Sequence, residues 1–108
     1  MSRPTTHARG VDPWHALGDP TRREVLALVA ERPRSVTEIA AELPVSRPAV
    51  SQHLKVLGDA SLVAVVADGR QRIYHPRSDG IAPMRAELDR MWSQTLRNFQ
   101  QLAEEATT

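Results

Sequence analysis

SVTEIAAELPVSRPAVSQHLKVL, residues 35–57, reads as two short helices joined by a three-residue turn, the helix-turn-helix pattern. Ser35 followed by Glu38 is a capping box: the hydroxyl takes one free N–H of the first turn and the carboxylate reaches back to the cap. Ile39, Ala40 and Leu43 supply one apolar stripe. Pro44 cannot continue that helix. Ser46 is a second N-cap, and Pro48 falls in the next first turn, where its missing N–H costs nothing. Val50, Leu54 and Leu57, at i, i+4 and i+7, form the buried seam of a helix from Arg47 to Asp59. The opposite face carries Pro48, Ser51, Gln52 and Lys55. A solvated helix favours long Glu/Lys pairs, whereas these small and amide side chains suit base edges and phosphates. An ordinary helical hairpin with a polar outer face is the plainer reading of the same residues.

The flanks complete a mainly α fold with one small β-hairpin, in the order α-α-α-α-β-β-α. Asp12-Pro13 starts a short helix bearing Trp14 and Leu17, and Gly18 ends it. Asp19-Pro20 is a strong second start; that helix runs to about Glu31 with Val25, Leu26, Leu28 and Val29 inward, and Pro33 closes it. After the motif, Leu62 to Ala67 is Val-rich and reads as a strand. Asp68-Gly69 signals a tight turn, and Arg72 to His75 returns as far as Pro76. The tip DGRQR puts Arg70, Gln71 and Arg72 on a two-stranded arm, a 68–72 wing directly behind the motif. From Gly80 to Ala106 the chain reads as one long helix whose apolar residues, among them Met84, Leu88, Met91, Trp92, Leu96 and Phe99, recur at steps of three and four. Its far half outruns what so small a core can cover, so this stripe, with Trp14 and Leu17, is the expected dimer interface.

Composition limits the class of function. With 108 residues the chain is one domain, read as residues 12–106 after a disordered arm at 1–11 in which Arg3 and Arg9 are the candidates for a minor-groove contact. The absence of cysteine excludes disulfides, thiolate metal sites and thiol redox sensing. No apolar run approaches a membrane span and no signal-peptide pattern opens the chain, so a cytoplasmic protein without a membrane partner is expected. The net charge of +1 conceals a gradient. Residues 44–78 carry five basic against two acidic side chains, residues 79–108 three against five, which fits one anion-facing surface. Ser51 and His53 are two apart on a helix and diverge, and no nucleophile elbow or phosphate-binding glycine loop appears, so no enzyme is expected.

The order of elements resembles the ArsR-type (ArsR/SmtB-like) winged-helix repressors. WHALGDPTRREVLALV (14–29) is similar to that family's opening, SRPAVSQHLKVL (46–57) to its recognition helix and LVAVVADGRQRIYHP (62–76) to its wing. The resemblance spans roughly residues 12–105. It implies a homodimer joined through the first and last helices that represses transcription by occupying a palindromic operator. One metal-site type of that family uses cysteines on the first helix of the motif, which here reads VTEIAAEL (36–43); another uses histidines on the last helix, which here has none. His7, His15, His53 and His75 are scattered over different elements, so no metal or other cofactor is expected, and the effector, if there is one, is unknown.

The expected partner is therefore double-stranded DNA, with the helix from Arg47 to Asp59 in the major groove, led by its N-terminal end. Ser51 and Gln52 are the expected base readers, Pro48 a contact for a thymine methyl, and Arg47 and Lys55 ligands of phosphate or base. Ser46 caps the helix and lies where a phosphate can sit. His53, about 60° off the buried seam, is either an edge residue or a DNA contact. Arg70, Gln71 and Arg72 act at the wing. Two other readings stay open: a winged helix used for protein–protein contact, and a sensor of metal or ligand.

Overall fold

A computed structural model describes residues 11–107 and holds seven elements: α1 (Pro13–Ala16), α2 (Pro20–Glu31), α3 (Val36–Glu42), α4 (Arg47–Asp59), β1 (Val63–Asp68), β2 (Gln71–Pro76) and α5 (Ile81–Ala106). This is the order expected. The arm candidates Arg3 and Arg9 lie outside the described residues. Val11, assigned above to the arm, is partly buried and packs on the core, so the domain begins before residue 12.

Local chemistry places the helix starts. Asp12 accepts the Trp14 N–H at 3.1 Å, and Asp19 accepts those of Thr21 and Arg22 at 2.8 and 3.1 Å. Ser35 Oγ accepts from Glu38 N at 3.2 Å while Glu38 Oε1 accepts from Ser35 N at 2.9 Å, the reciprocal capping box. Ser46 Oγ accepts from Ala49 N at 3.2 Å. These bonds hold the Asp19 and Glu38 carboxyls below the usual carboxylate range; the largest cause is the N–H of Arg22 for Asp19 and the N–H of Ser35 for Glu38. A depressed folded-state value stabilises the fold above the unfolded-state value and is lost as pH falls through the folded one. Thermal melting should therefore drop on acidification below the ordinary carboxylate range. The Asp19→Asn/Glu38→Gln pair, which keeps both caps, should flatten that acid limb. An equally steep limb in the pair would remove these two groups as its cause.

The interior is one cluster. Val25 and Val29 of α2, Ile39 of α3 and Val50, Leu54 and Leu57 of α4 are all but completely buried, joined by Ala16, Ala60, Leu62 and Val63. Each large aliphatic side chain so placed contributes about 1.5–3 kcal/mol. Leu26 and Leu28, expected inward with Val25 and Val29, are only partly buried at the margin, as are Ala40 and Leu43. The seam of α4 is as expected.

The hairpin differs from the sequence reading by one residue. β1 and β2 pair antiparallel from Val63↔Pro76 to Asp68↔Gln71, so the strands extend to Asp68 and begin at Gln71, and the turn is Gly69-Arg70 rather than Asp68-Gly69. Gly69 has φ +63, and Arg70 does not have positive φ, the pattern of a type II′ turn with glycine at its first central position. A third short piece of sheet was not visible in the sequence. Arg34 bridges Tyr74 on the outer edge of β2, with N–H to O distances of 3.2 and 2.8 Å. The Arg34 guanidinium is buried, donating to the Leu28 carbonyl at 2.8 Å, to Glu31 at 2.7 Å and to Glu42. It thereby ties the ends of α2 and α3 to the wing.

α5 spans 26 residues and is about 39 Å long. It meets α1 near its start, where Met84 is buried, and the rest projects, giving extents of 68 × 33 × 20 Å. Among the described residues no helix is long and apolar enough to cross a membrane.

Candidate DNA-binding surface

Arg47, at the first position of α4, and Pro48, Ser51, Gln52 and Lys55 along its outer face are all exposed. The seam on the opposite side is sealed into the core, so rotation of the helix is set by Val50, Leu54 and Leu57. Ser46 is spent on its cap, leaving the helix N-terminus open with Arg47 beside it. A polar, N-terminally exposed face of this kind matches what enters a major groove.

His53 turns elsewhere. It is partly buried, with Nδ1 3.5 Å from Nη1 of Arg22. Arg22 in turn donates Nε to the Ala16 carbonyl at 2.7 Å, and Asp19 caps the same turn. His53 thus lies at the edge of the outer face of α4, against the start of α2.

The wing sorts its residues by strand alternation. The pairs Val65↔Tyr74 and Ala67↔Arg72 share one face with Val63, while Gln71 pairs with Asp68 on the other. Arg72 accordingly lines a groove of about 450 Å³ between β1–β2 and α4, together with Ser51, Lys55, Asp59, Tyr74 and Arg77. Gln71 is thus separated from Arg72, and Arg70 sits in the turn itself, exposed. Arg77 was missed in the sequence: it follows Pro76 with no motif around it, and only the fold brings it to the groove. Arg34 was missed as well, since a charged side chain between a proline and a cap signal reads as exposed.

The residues expected at a dimer interface divide similarly. Met91, Trp92, Leu96 and Phe99 are 60–66% exposed and Leu88 39%. Trp14 is 39% exposed on α1. Leu17 packs on the core and Met84 is buried, so these two are already used within the chain. Among the described residues no group of three or more His, Cys, Asp or Glu side chains could hold a metal ion.

A helix-turn-helix with an arginine-bearing hairpin behind its second helix defines a winged-helix DNA-binding protein. Residues 19–65 match the sequence profile of the bacterial regulatory protein, arsR family. The HTH-type transcriptional regulator Rv2034 of Mycobacterium tuberculosis is 48% identical over 89 residues, covering 82% of this chain and 83% of the relative. The transcriptional repressor SdpR of Bacillus subtilis is 35% identical over 62 residues, 57% of this chain and 68% of the relative. Among solved structures, the crystal structure of a possible transcriptional regulator for arsenical resistance superimposes with a TM-score of 0.68 at 41% identity, covering 75% of this chain and 84% of that one. The chain belongs to the ArsR family: it is a DNA-binding transcriptional regulator and not an enzyme.

Proposed function

We propose that the protein is a homodimeric repressor that occupies a palindromic operator, with α4 of each protomer in a major groove and the 68–72 wing beside it. The observation that carries this reading is the exposed N-terminal face of α4, Arg47 to Lys55, set against a sealed apolar seam. Ser51 and Gln52 read bases, Pro48 meets a thymine methyl, and Arg47, Lys55, Arg70 and Arg72 hold phosphates or groove edges. His53 flanks this surface beside Arg22, and Gln71 acts at the wing from the hairpin face opposite Arg72. Trp14 and the exposed stripe of α5 form an isologous interface, since an apolar row of this length would otherwise promote aggregation. Repression accords with the role named for SdpR and with the simplest effect of a protein seated on a promoter.

Selection of bound sequences from random duplex DNA tests the reading, because it reports DNA binding, palindromy and half-site spacing together. On the selected site, Ser51→Ala and Gln52→Ala should each cost about 1–3 kcal/mol and relax preference at one or two base positions. Two variants that bind like the parent would show that another face reads the bases.

A further inference from the structure

Arg34 is a charged side chain where burial is costly. It stands in the link between α2 and α3, residues 32–35, and is only 3% exposed. Its guanidinium donates to three acceptors on two helices. Two lie in the last turn of α2, the Leu28 carbonyl at 2.8 Å and Glu31 at 2.7 Å; the third is Glu42, the last residue of α3. Burying a cation carries a desolvation penalty that an apolar side chain of similar size would avoid, so stability alone is a poor reason for this arrangement. What the planar fork supplies is direction: it fixes one point of the backbone against two helices at once.

That point of backbone holds the hairpin. Arg34 N donates to Tyr74 O at 3.2 Å and Tyr74 N to Arg34 O at 2.8 Å. Elsewhere the hairpin is thinly anchored. On β1 Val63 is buried and Val65 to Asp68 are exposed; on β2 Ile73, Tyr74 and His75 are partly buried and the other residues exposed. Arg70, in the turn, is four residues from Tyr74, about 13 Å along the strand. A tilt of about 10° at Tyr74 would move the turn by about 2 Å. A charged hydrogen bond of about 2.7–2.9 Å cannot absorb that offset unless the side chain leaves its preferred rotamer.

Resting on the DNA-binding reading above, we propose that Arg34 is a positioning residue for the wing: without touching DNA, its three bonds to α2 and α3 hold Tyr74, and through β2 hold Arg70 at the distance from α4 at which both meet the duplex. Positioning leaves a signature that a loss of stability does not. Acting through the hairpin, removal of the Arg34 fork overlaps with removal of Arg70, whereas it adds to removal of Gln52 on α4. Arg34→Lys keeps the charge and gives up the fork.

The test is a double-mutant cycle on the full chain, read by fluorescence anisotropy with the selected operator duplex. In the parent, Arg70→Ala should weaken binding and make the log–log salt slope shallower by about one. In the Arg34→Lys background the same change should cost at least about threefold less in affinity. Gln52→Ala should cost the same factor in both backgrounds, to within about twofold. Circular dichroism establishes that each variant is folded. Glu42→Ala removes one of the three acceptors at a half-exposed side chain. It should show the same overlap in smaller measure, and it takes the place of Arg34→Lys if that variant unfolds. An equal cost of Arg70→Ala in both backgrounds, no cost of Arg70→Ala in the parent, or an equally large overlap with Gln52→Ala overturns the proposal while leaving DNA binding by α4 intact. A parent protein that selects and binds no duplex overturns both readings.

Discussion

Replacing Trp92 and Phe99 together by alanine should yield a folded monomer that binds DNA only at the sequence-independent level. Both side chains are more than 60% exposed in the single chain, so their loss removes little from its own core. Circular dichroism and the melting transition should therefore remain near those of a folded winged helix. In a two-fold dimer each ring is buried twice, once per protomer, and truncating a buried Trp or Phe costs about 3–5 kcal/mol. Four such losses exceed what most dimers of this size can absorb. The effect on DNA is geometric. Two recognition helices must sit about 34 Å apart to meet successive major grooves on one face of the duplex, and in the proposed dimer α5 sets that separation. One α4 alone loses the second half-site, and affinity for the selected operator should fall by about 10³ or more, toward non-specific binding. Sedimentation and operator titration check this together. A double variant that is folded, still dimeric and still tight on the operator would transfer the interface to the Trp14 face of α1.

Gly80→Ala should destabilise the fold by about 3 kcal/mol or more. A Cβ at Gly80 would lie 2.3 Å from the Ala60 carbonyl oxygen, 2.9 Å from Leu62 Cδ2 and 3.1 Å from the Ser61 carbonyl oxygen. The nearest neighbour is a backbone oxygen, which cannot swing away. Ala60 ends α4, and Ser61 is held at φ 62 in the turn that follows. Gly80 N donates to Ser61 O at 2.9 Å, and Arg77 N to Leu62 O at 2.8 Å, so the approach is bonded as well as close. Overpacking against side chains costs about 1–3 kcal/mol, and a rigid carbonyl places this site at or above the top of that range. The same joint fixes the end of α4 to the beginning of α5, and opening it should also misplace the recognition helix relative to the dimer. Gly58→Ala is the matched contrast. It lies inside α4 with its nearest neighbour atoms, from Val63, at 3.9 Å, and should stabilise by up to about 1 kcal/mol through helix propensity. Chemical denaturation of the two variants reads both effects. A Gly80→Ala protein as stable as the parent would show that the α4–β1 turn yields at little cost.

Features legible in the sequence share one property: their physics is contained within a few adjacent residues. Asp12, Asp19, Ser35 and Ser46 mark helix starts because a cap bonds N–H groups two or three positions away, and all four caps form as read. The seam Val50-Leu54-Leu57 follows from helical periodicity alone, and it fixes by elimination that Pro48, Ser51, Gln52 and Lys55 face outward. What only the tertiary structure decided involves segments distant along the chain. Strand pairing moved the turn to Gly69-Arg70, placing Gln71 on one face and Arg72 on the other. Arg34 is buried because Tyr74, forty residues later, pairs with its backbone while Glu31 and Glu42 converge on its guanidinium. His53 of α4 is turned toward α2, where Arg22 reaches it. Gly80 reads as the opening residue of the last helix until Ala60 is brought against it. Arg77 joins Lys55 and Asp59 in one groove only when the hairpin is laid against α4 through β1. Caps and periodicity satisfy hydrogen bonds and bury surface within a turn or two of helix, and so are written in consecutive residues. Groove, joint and buried ion pair depend on where separate elements come to rest, which is set by the packing of the whole core.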